Sequence, residues 1–486
     1  MSGDTAKTST VTGAHADPVT ERSPLNPLRW KALALLCAAF FMVQLDAQIV
    51  LLALPSIEAD LGFTPAGAQW VMSSYLITFG GLLLLGGRTA DVAGRRKMFM
   101  LGMLLFGAAS LLAGLAWSSE ILIIGRVGQG VSAALIAPAA LALLMTTFTD
   151  AKELSKALAI WAANGAIGAM AALLIGGPIN DTIGWEWLFF INVPVAVLVL
   201  VIGPKLLKES RAEERVGFDP LGALTITLAV GAFIYAVVET PTVGWASPRT
   251  LLLLAASVVL FAVFIVIEKR VASPMVPLSL FRNRNLLGGN VVMLLIGMVT
   301  FGAVLLVSLY AQQVLQYTAL AFGVATVVYT VMSTVGSQIG SRIVAKLGFR
   351  NMTLIAVVIM GAGVVWLTRA PVDGTYFVDL FPALVLFGFG LGMGFVSVSI
   401  AALTGVPEEN SGIASGINTA GFQLGGALGV AVATAVAVAY SGTTGDAKQD
   451  LNAGYQSGFW SMVILTVVGI VVTAALFKAP KKAVAA

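Results

Sequence analysis

The chain is poor in the residues on which most soluble chemistry depends. Its one cysteine, Cys37, lies in an apolar run, which excludes an internal disulfide and makes a thiolate metal site or redox role untenable. Its one histidine, His15, stands in a polar N-terminal stretch with no partners at metal-ligand spacing. No Gly-Lys dipeptide occurs, so the chain contains no Walker-type phosphate loop and no ATP-driven pump of its own. A nucleophile elbow is missing too, and an enzyme is not expected. Charge is the scarcest commodity of all: 11% of residues are charged and 58% are hydrophobic, where a soluble globule has about a quarter charged. With a mean hydropathy of +0.93, the chain is read as an all-α, polytopic membrane protein that needs neither cofactor nor metal and has no use for nucleic acid.

What is abundant is apolar runs of about 20 residues, the length that crosses a bilayer as helix. Fourteen are expected, near 31–53, 68–87, 97–117, 120–145, 157–179, 187–204, 219–240, 249–268, 285–312, 320–342, 352–369, 378–402, 412–440 and 456–477. Residues 1–30, rich in Ser, Thr, Pro and Asp, read as a disordered tail without the apolar stretch and cleavage site of a signal peptide. Placing the N-terminus in the cytoplasm puts 24 of the 28 Lys and Arg residues on that side, leaving Arg126, Arg249, Arg369 and Lys448. This asymmetry predicts both termini inside the cell membrane and an even number of spans.

The densest local signal is Gly87-Arg88-Thr89-Ala90-Asp91-Val92-Ala93-Gly94-Arg95-Arg96-Lys97, expected as a tight charged turn between spans 2 and 3. Gly87 and Gly94 permit close packing and a sharp reversal. Asp91 is suited to accept bonds from Arg95, Arg96 or a neighbouring helix N-terminus. The basic residues also serve topology; a carboxylate does not. A fainter copy, Ser341 to Asn351, follows span 10, with Gly348 for Gly94, Arg350 for Arg96 and Ala345 for Asp91. An internal repeat of six spans and six spans follows, with two spans inserted between. The resulting division is a 1–30 tail, a first bundle over 31–204, a central segment over 205–284, a second bundle over 285–477 and a 478–486 tail.

At this point the chain resembles a known family. Gly87 to Lys97 looks like the loop signature of the major facilitator superfamily, and fourteen spans resemble its proton-coupled drug-exporter branch. Leu45-Asp46 with Ile49-Val50 and Ala53-Leu54-Pro55, Arg126-Val127-Gly128-Gln129-Gly130, and Trp185-Glu186-Trp187-Leu188-Phe189-Phe190-Ile191-Asn192-Val193-Pro194 are similar to further stretches of that branch. The resemblance implies the major-facilitator fold and drug:proton antiport. It is dense in the first half and rests mainly on topology in the second. Two departures stand out. The Gly-Pro pair usual before a Gly-Gly in span 5 is Ala172-Leu173 ahead of Gly176-Gly177, with Pro178 following, and Glu186 stands where the family commonly has arginine.

Asp46 and Arg126 are the charges well inside spans. Asp46 lies about 10 Å from the outer end of span 1, and Arg126 about 9 Å below that of span 4, at the helical rise of roughly 1.5 Å per residue. A carboxylate at such depth is expensive and belongs by default to a proton, ion or substrate pathway. Arg126 shares a face with Gln129 and Gly130, and the resemblance implies that such an arginine couples protonation to the conformational cycle. A direct Asp46–Arg126 bridge does not follow from depth. Gln44 and Gln48 sit on one side of span 1 while Asp46 projects roughly 200° away, giving two polar faces whose partners the spacing leaves open. Further polar residues suited to a central cavity, or to interhelical hydrogen bonds, are Asn164, Tyr235, Tyr310, Tyr329, Gln338, Asn418 and Gln423.

The expectation is a monomeric secondary exporter that exchanges protons for lipophilic neutral or monocationic drugs, because spans 9 to 14 carry no acid at membrane depth. A dedicated exporter or proton symporter of one metabolite is the alternative within transport. From another class, a non-transporting receptor or a channel uses the same scaffold.

Overall fold

In the computed structural model, residues 27–477 are described except 149, 212–218, 272, 273, 275, 408–410 and 443. The two tails therefore lie almost wholly outside the described residues. Among the described residues fourteen long helices carry the chain, and the Greek labels below follow them in order. The first six are α1 (Arg29–Leu61), α2 (Trp70–Ala93), α3 (Arg95–Gly114), α4 (Ser119–Thr147), α5 (Ala151–Ile183) and α6 (Asn192–Leu206). Two follow in the centre, α7 (Pro220–Val243) and α8 (Pro248–Arg270). The last six are α9 (Arg284–Leu309), α10 (Ala319–Leu347), α11 (Phe349–Leu367), α12 (Phe381–Leu403), α13 (Ser411–Ala439) and α14 (Ala447–Leu476). Among the described residues, thirteen helical stretches are long and apolar enough to cross a membrane; α5, with 33 residues, is the other long helix.

Side-chain oxygens next to the apolar runs start the helices. Ser118 accepts from Ile121 N before α4, Asp150 from the N–H groups of Lys152 and Glu153 before α5, and Thr318 from Ala321 N before α10. Each satisfies a donor that the first helical turn leaves without a carbonyl. Two sequence expectations are corrected here. Span 1 does not end near 53: α1 carries Pro55 inside it and runs to Leu61, where Gly62 closes it in the left-handed conformation at φ 65°. Nor is 87–97 a turn of eleven residues. Helix α2 continues through Ala93, α3 opens at Arg95, and the whole reversal is made by Gly94 at φ 116°, because only glycine holds that conformation without strain.

The packing partners fall into two sets. In the first, α1 packs on α4, α5 and α6, and both α2 and α3 on α4; in the second, α9 packs on α13 and α14, and α12 on α10 and α11. The sets meet through α2 against α13 and α5 against α10, and the central pair packs together while α7 also leans on α2 and α13. Without an aqueous driving force, such contacts depend on close backbone approach. The run Gly388-Phe389-Gly390-Leu391-Gly392 of α12 shows it: a methyl carbon at Gly388 or Gly392 would overlap the carbonyls of Tyr329 or Ser333 on α10, and one at Gly390 would overlap the Met360 backbone of α11. The end where α2 meets α3 is called the basic end below, after its Arg and Lys residues.

Candidate functional site

Asp46 sits midway along α1 and is fully buried, as are Gln129, Ser110 and, to within 1%, Arg126 and Asn192. The carboxylate takes bonds from three directions. Arg126 Nη1 donates to Oδ2 at 2.6 Å, while Gln129 Nε2 and Asn192 Nδ2 donate to Oδ1 at 2.7 and 2.8 Å. Arg126 and Gln129 are one helical turn apart on α4, so their shared face delivers both groups, and Arg126 Nη1 also donates to Gln129 Oε1 at 2.8 Å. Asn192 is the first residue of α6 and reaches the site from there, where α6 packs on α1. Ser110 of α3 accepts from Gln129 Nε2 at 2.9 Å. One carboxylate thus ties together α1, α3, α4 and α6.

The guanidinium is equally enclosed. Its Nε donates to the Val71 carbonyl of α2 at 2.7 Å, and its Cζ lies 4.4 Å from the Tyr75 ring centroid, within the range of a cation–π contact. Taking both charges out of water is costly, and this set of neutral donors and a π face offsets part of that cost. Removing one partner alone would leave a bare charge. Asn192 Oδ1 has no hydrogen-bond partner and is buried, which leaves one acceptor beside the pair for a proton-bearing group.

A pattern that defines the Major Facilitator Superfamily matches residues 36–430. The chain belongs to that superfamily. Among its relatives, a puromycin resistance protein of Streptomyces alboniger is 37% identical over 83% of this chain and 80% of its own length. A cephamycin export protein of Amycolatopsis lactamdurans is 33% identical over 96% of each. The tetracenomycin C resistance and export protein of Streptomyces glaucescens is 32% identical over 86% of this chain and 78% of its own length. In fold, a crystal structure of a nucleoside transporter aligns with a TM-score of 0.65 over 93% of this chain and 100% of its own, at 14% identity. These relatives are named for antibiotic resistance and export, and they share the chain's superfamily of membrane transporters.

The superfamily loop is built differently from its sequence outline. Arg95 Nη2 donates to Asp91 Oδ1 at 2.8 Å, one turn back across Gly94. Arg96 instead reaches the chain that leaves α6: Nη1 donates to the Leu207 carbonyl at 3.2 Å. Glu209 closes the arrangement, its carboxylate accepting from Arg96 N at 3.0 Å and Lys97 N at 3.2 Å, which caps α3. Sequence reading passed over Glu209; its only signal was an acid among the basic residues that follow span 6. The second copy repeats part of this geometry. Gly348, at φ 74°, separates α10 from α11, and Arg350 Nη2 donates to the Ala474 carbonyl near the end of α14 at 2.9 Å, as Arg96 does at the end of α6.

The two polar faces of α1 are now assigned. Asp46 points into the first helix set, whereas Gln48 lines a cavity of about 140 Å³ on the side of the second. Val304 and Val307 of α9, Thr326, Tyr329, Thr330, Ser333 and Thr334 of α10, and Phe387 of α12 line it as well. Gln44 is half-buried, its Cβ beside Gly168, and Gln423 is buried where α13 meets Gly80 of α2. Four candidates spend their polar groups elsewhere. Asn164 donates to the Cys37 carbonyl at 2.8 Å, Tyr310 to the Pro371 carbonyl at 2.6 Å, and Asn418 to Asn290 Oδ1 at 3.3 Å; Tyr235 accepts from Arg249. For the first three the physical reason is common: where helices pack, a polar group takes the nearest partner; the Tyr235 contact with Arg249 is exposed. Gln338 is exposed.

Proposed function

We propose that the protein is a proton-coupled exporter of lipophilic neutral or monocationic compounds, with Asp46 as the proton-binding carboxylate and Arg126 as its coupling partner. The observation that carries this reading is the buried Asp46–Arg126 pair, held by Gln129 and Asn192 at membrane depth. A charge placed there without a transport role would be an expense with no return. Protonation of Asp46 removes the counter-ion from Arg126, which keeps its bonds to Val71 and Gln129 but loses the ionic contact between α4 and α1, leaving Gln129 to join them. Loss of that contact is the local event that would bias the two helix sets toward the other orientation. In this reading the basic end faces the cytoplasm, the 87–97 segment acts as its gate, and the cavity beside Gln48 receives the drug.

The driving force suffices. For neutral cargo, one proton moving in through about 100 mV supplies about 2.3 kcal/mol, enough for a roughly fifty-fold gradient; a monocation exchanged for one proton moves no net charge, and the pH difference, about 1.4 kcal/mol per unit, drives it. Among the described residues the cavity wall carries no carboxylate, which favours neutral or singly charged cargo bound by aromatic and hydroxyl groups. The relatives named for single antibiotics favour a second reading, a dedicated exporter of one compound. Everted vesicles under an imposed pH gradient, given ethidium, puromycin and lincomycin separately, distinguish the two. Uptake of several compounds supports broad efflux; uptake of one supports the dedicated exporter; gradient-independent uptake sinks proton coupling.

A further inference from the structure

The central helices α7 and α8 have no part in the site described above, yet they bring two carboxyl groups to the basic end. Asp219 precedes α7 and is 5% exposed; Glu268, in the last turn of α8, is 4% exposed. They are close together, because a methyl carbon at Gly222 would meet Asp219 Oδ2 and, at 3.2 Å, Glu268 Oε1. One oxygen of Asp219 accepts from Gly222 N at 2.8 Å, capping α7; the other, Oδ2, is buried with no hydrogen-bond partner. Asp219 thus keeps one buried carboxylate oxygen without a donor beside a second acid, an arrangement that a neighbouring cation stabilises.

The cation is at hand on the gate. Arg88 of α2 is half-buried and donates from Nη2 to the Pro274 carbonyl at 3.4 Å. Two residues on, Val276 N donates to Glu268 Oε2 at 3.2 Å, so the segment after α8 touches Arg88 and Glu268 at once. Beneath these groups runs an apolar seam in which Ala223, Phe264 and Val276 pack with Leu82, Leu84 and Leu85 of α2 and Ile417 of α13. The central pair is therefore seated on one helix from each half, along the line where the halves meet. Among the described residues, Arg95 pairs with Asp91, Lys269 and Arg270 are exposed, and α13 carries no charged residue.

We infer that the α7–α8 pair is a strap that holds the gate segment by charge, with Glu268, supported by Asp219, as the positioning residue for Arg88. Neither acid touches cargo. Their effect falls on how readily the halves change orientation, so the maximal rate moves and the apparent affinity for cargo does not. This inference rests on the export reading only for its transport readout.

The test is a double-mutant cycle on the full-length protein in everted vesicles with ethidium as the probe: Arg88→Gln, Glu268→Gln and both together. Each single change lowers the maximal rate about tenfold while KM stays within about twofold, and the double variant is no slower than either single one. Glu268→Asp, which keeps the charge, recovers most of the rate. Single effects that multiply in the double variant, or Glu268→Gln transporting as the intact protein does, overturn the inference. The same cycle is read by thermal unfolding of the purified protein, where coupled residues give a non-additive shift in Tm. If intact protein moves no ethidium, the broad-export reading fails while the unfolding cycle still decides the strap.

Discussion

Asp46 is satisfied by one charged and two neutral donors, so the residues around it are unequal in weight. Arg126→Ala leaves a buried carboxylate without its counter-charge and is expected to cost about 3–5 kcal/mol, seen as a fall in Tm and loss of folded protein. Asn192→Ala removes one neutral donor to a charged group and should cost about 1.5–3 kcal/mol by the same measurement. An Asn192→Ala protein as stable as the intact one would show that the bond to Oδ1 contributes nothing. The pair itself was legible because charges are so rare at depth in this chain, and Gln129 because it lies three residues from Arg126. Ser110 and Asn192 were not: a serine in an apolar helix, or an asparagine at a helix start, is as often a local hydrogen-bond partner as a site residue. Only the packing of α6 on α1, which joins residues 146 apart in sequence, brings Asn192 to Asp46.

Among the elements, the junction of α2 and α3 departs most from its sequence outline. Periodicity and basic residues marked a turn of eleven residues, but α2 continues through Ala93, and the reversal collapses onto Gly94. Glu209 then caps α3 from a segment more than a hundred residues away, a contact that no local pattern encodes. Glu209→Gln should lower stability by about 1 kcal/mol through the weakened cap. Gly94→Ala should cost more, because the left-handed conformation is strained and an added carbon would lie 2.8 Å from Glu209 Oε1. Equal Tm values for the two variants would contradict that order. At the same end α1 and α5 are tied by Arg29 Nε donating to Glu153 Oε2 at 2.7 Å. The hydrogen bond from Arg29 holds the Glu153 carboxyl below its ordinary value. Its contribution is therefore present above the ordinary carboxylate value, about 4, and is lost as pH falls below it. Glu153→Gln should lower Tm at neutral pH, where the pair contributes, and flatten the acid limb, so that the two profiles converge below about pH 4.

For the whole molecule, the number of helices, the inserted central pair and the repeated loop were all readable from run lengths, charge placement and the second copy at Ser341 to Asn351. The contacts between the halves were not, since they join groups distant in sequence. Asp181 Oδ2, at the end of α5 away from the basic end, accepts from Leu320 N of α10 at 3.3 Å, and Ser308 of α9 donates to the Leu51 carbonyl of α1 at 3.1 Å. Both contacts must break if the halves rock. With Cys37 replaced by alanine, a cysteine pair at Asp181 and Leu320 should cross-link on oxidation, stop transport and release it on reduction. Cross-linked protein that still transports would rule out rocking about this seam. The central claim, that Asp46 exchanges a proton for cargo, is tested most directly by proton release. Ethidium added to the purified protein in weakly buffered detergent solution should release up to about one proton per chain, read with a pH-sensitive dye. Asp46→Asn should release none. Equal release from the variant and the intact protein would contradict the account.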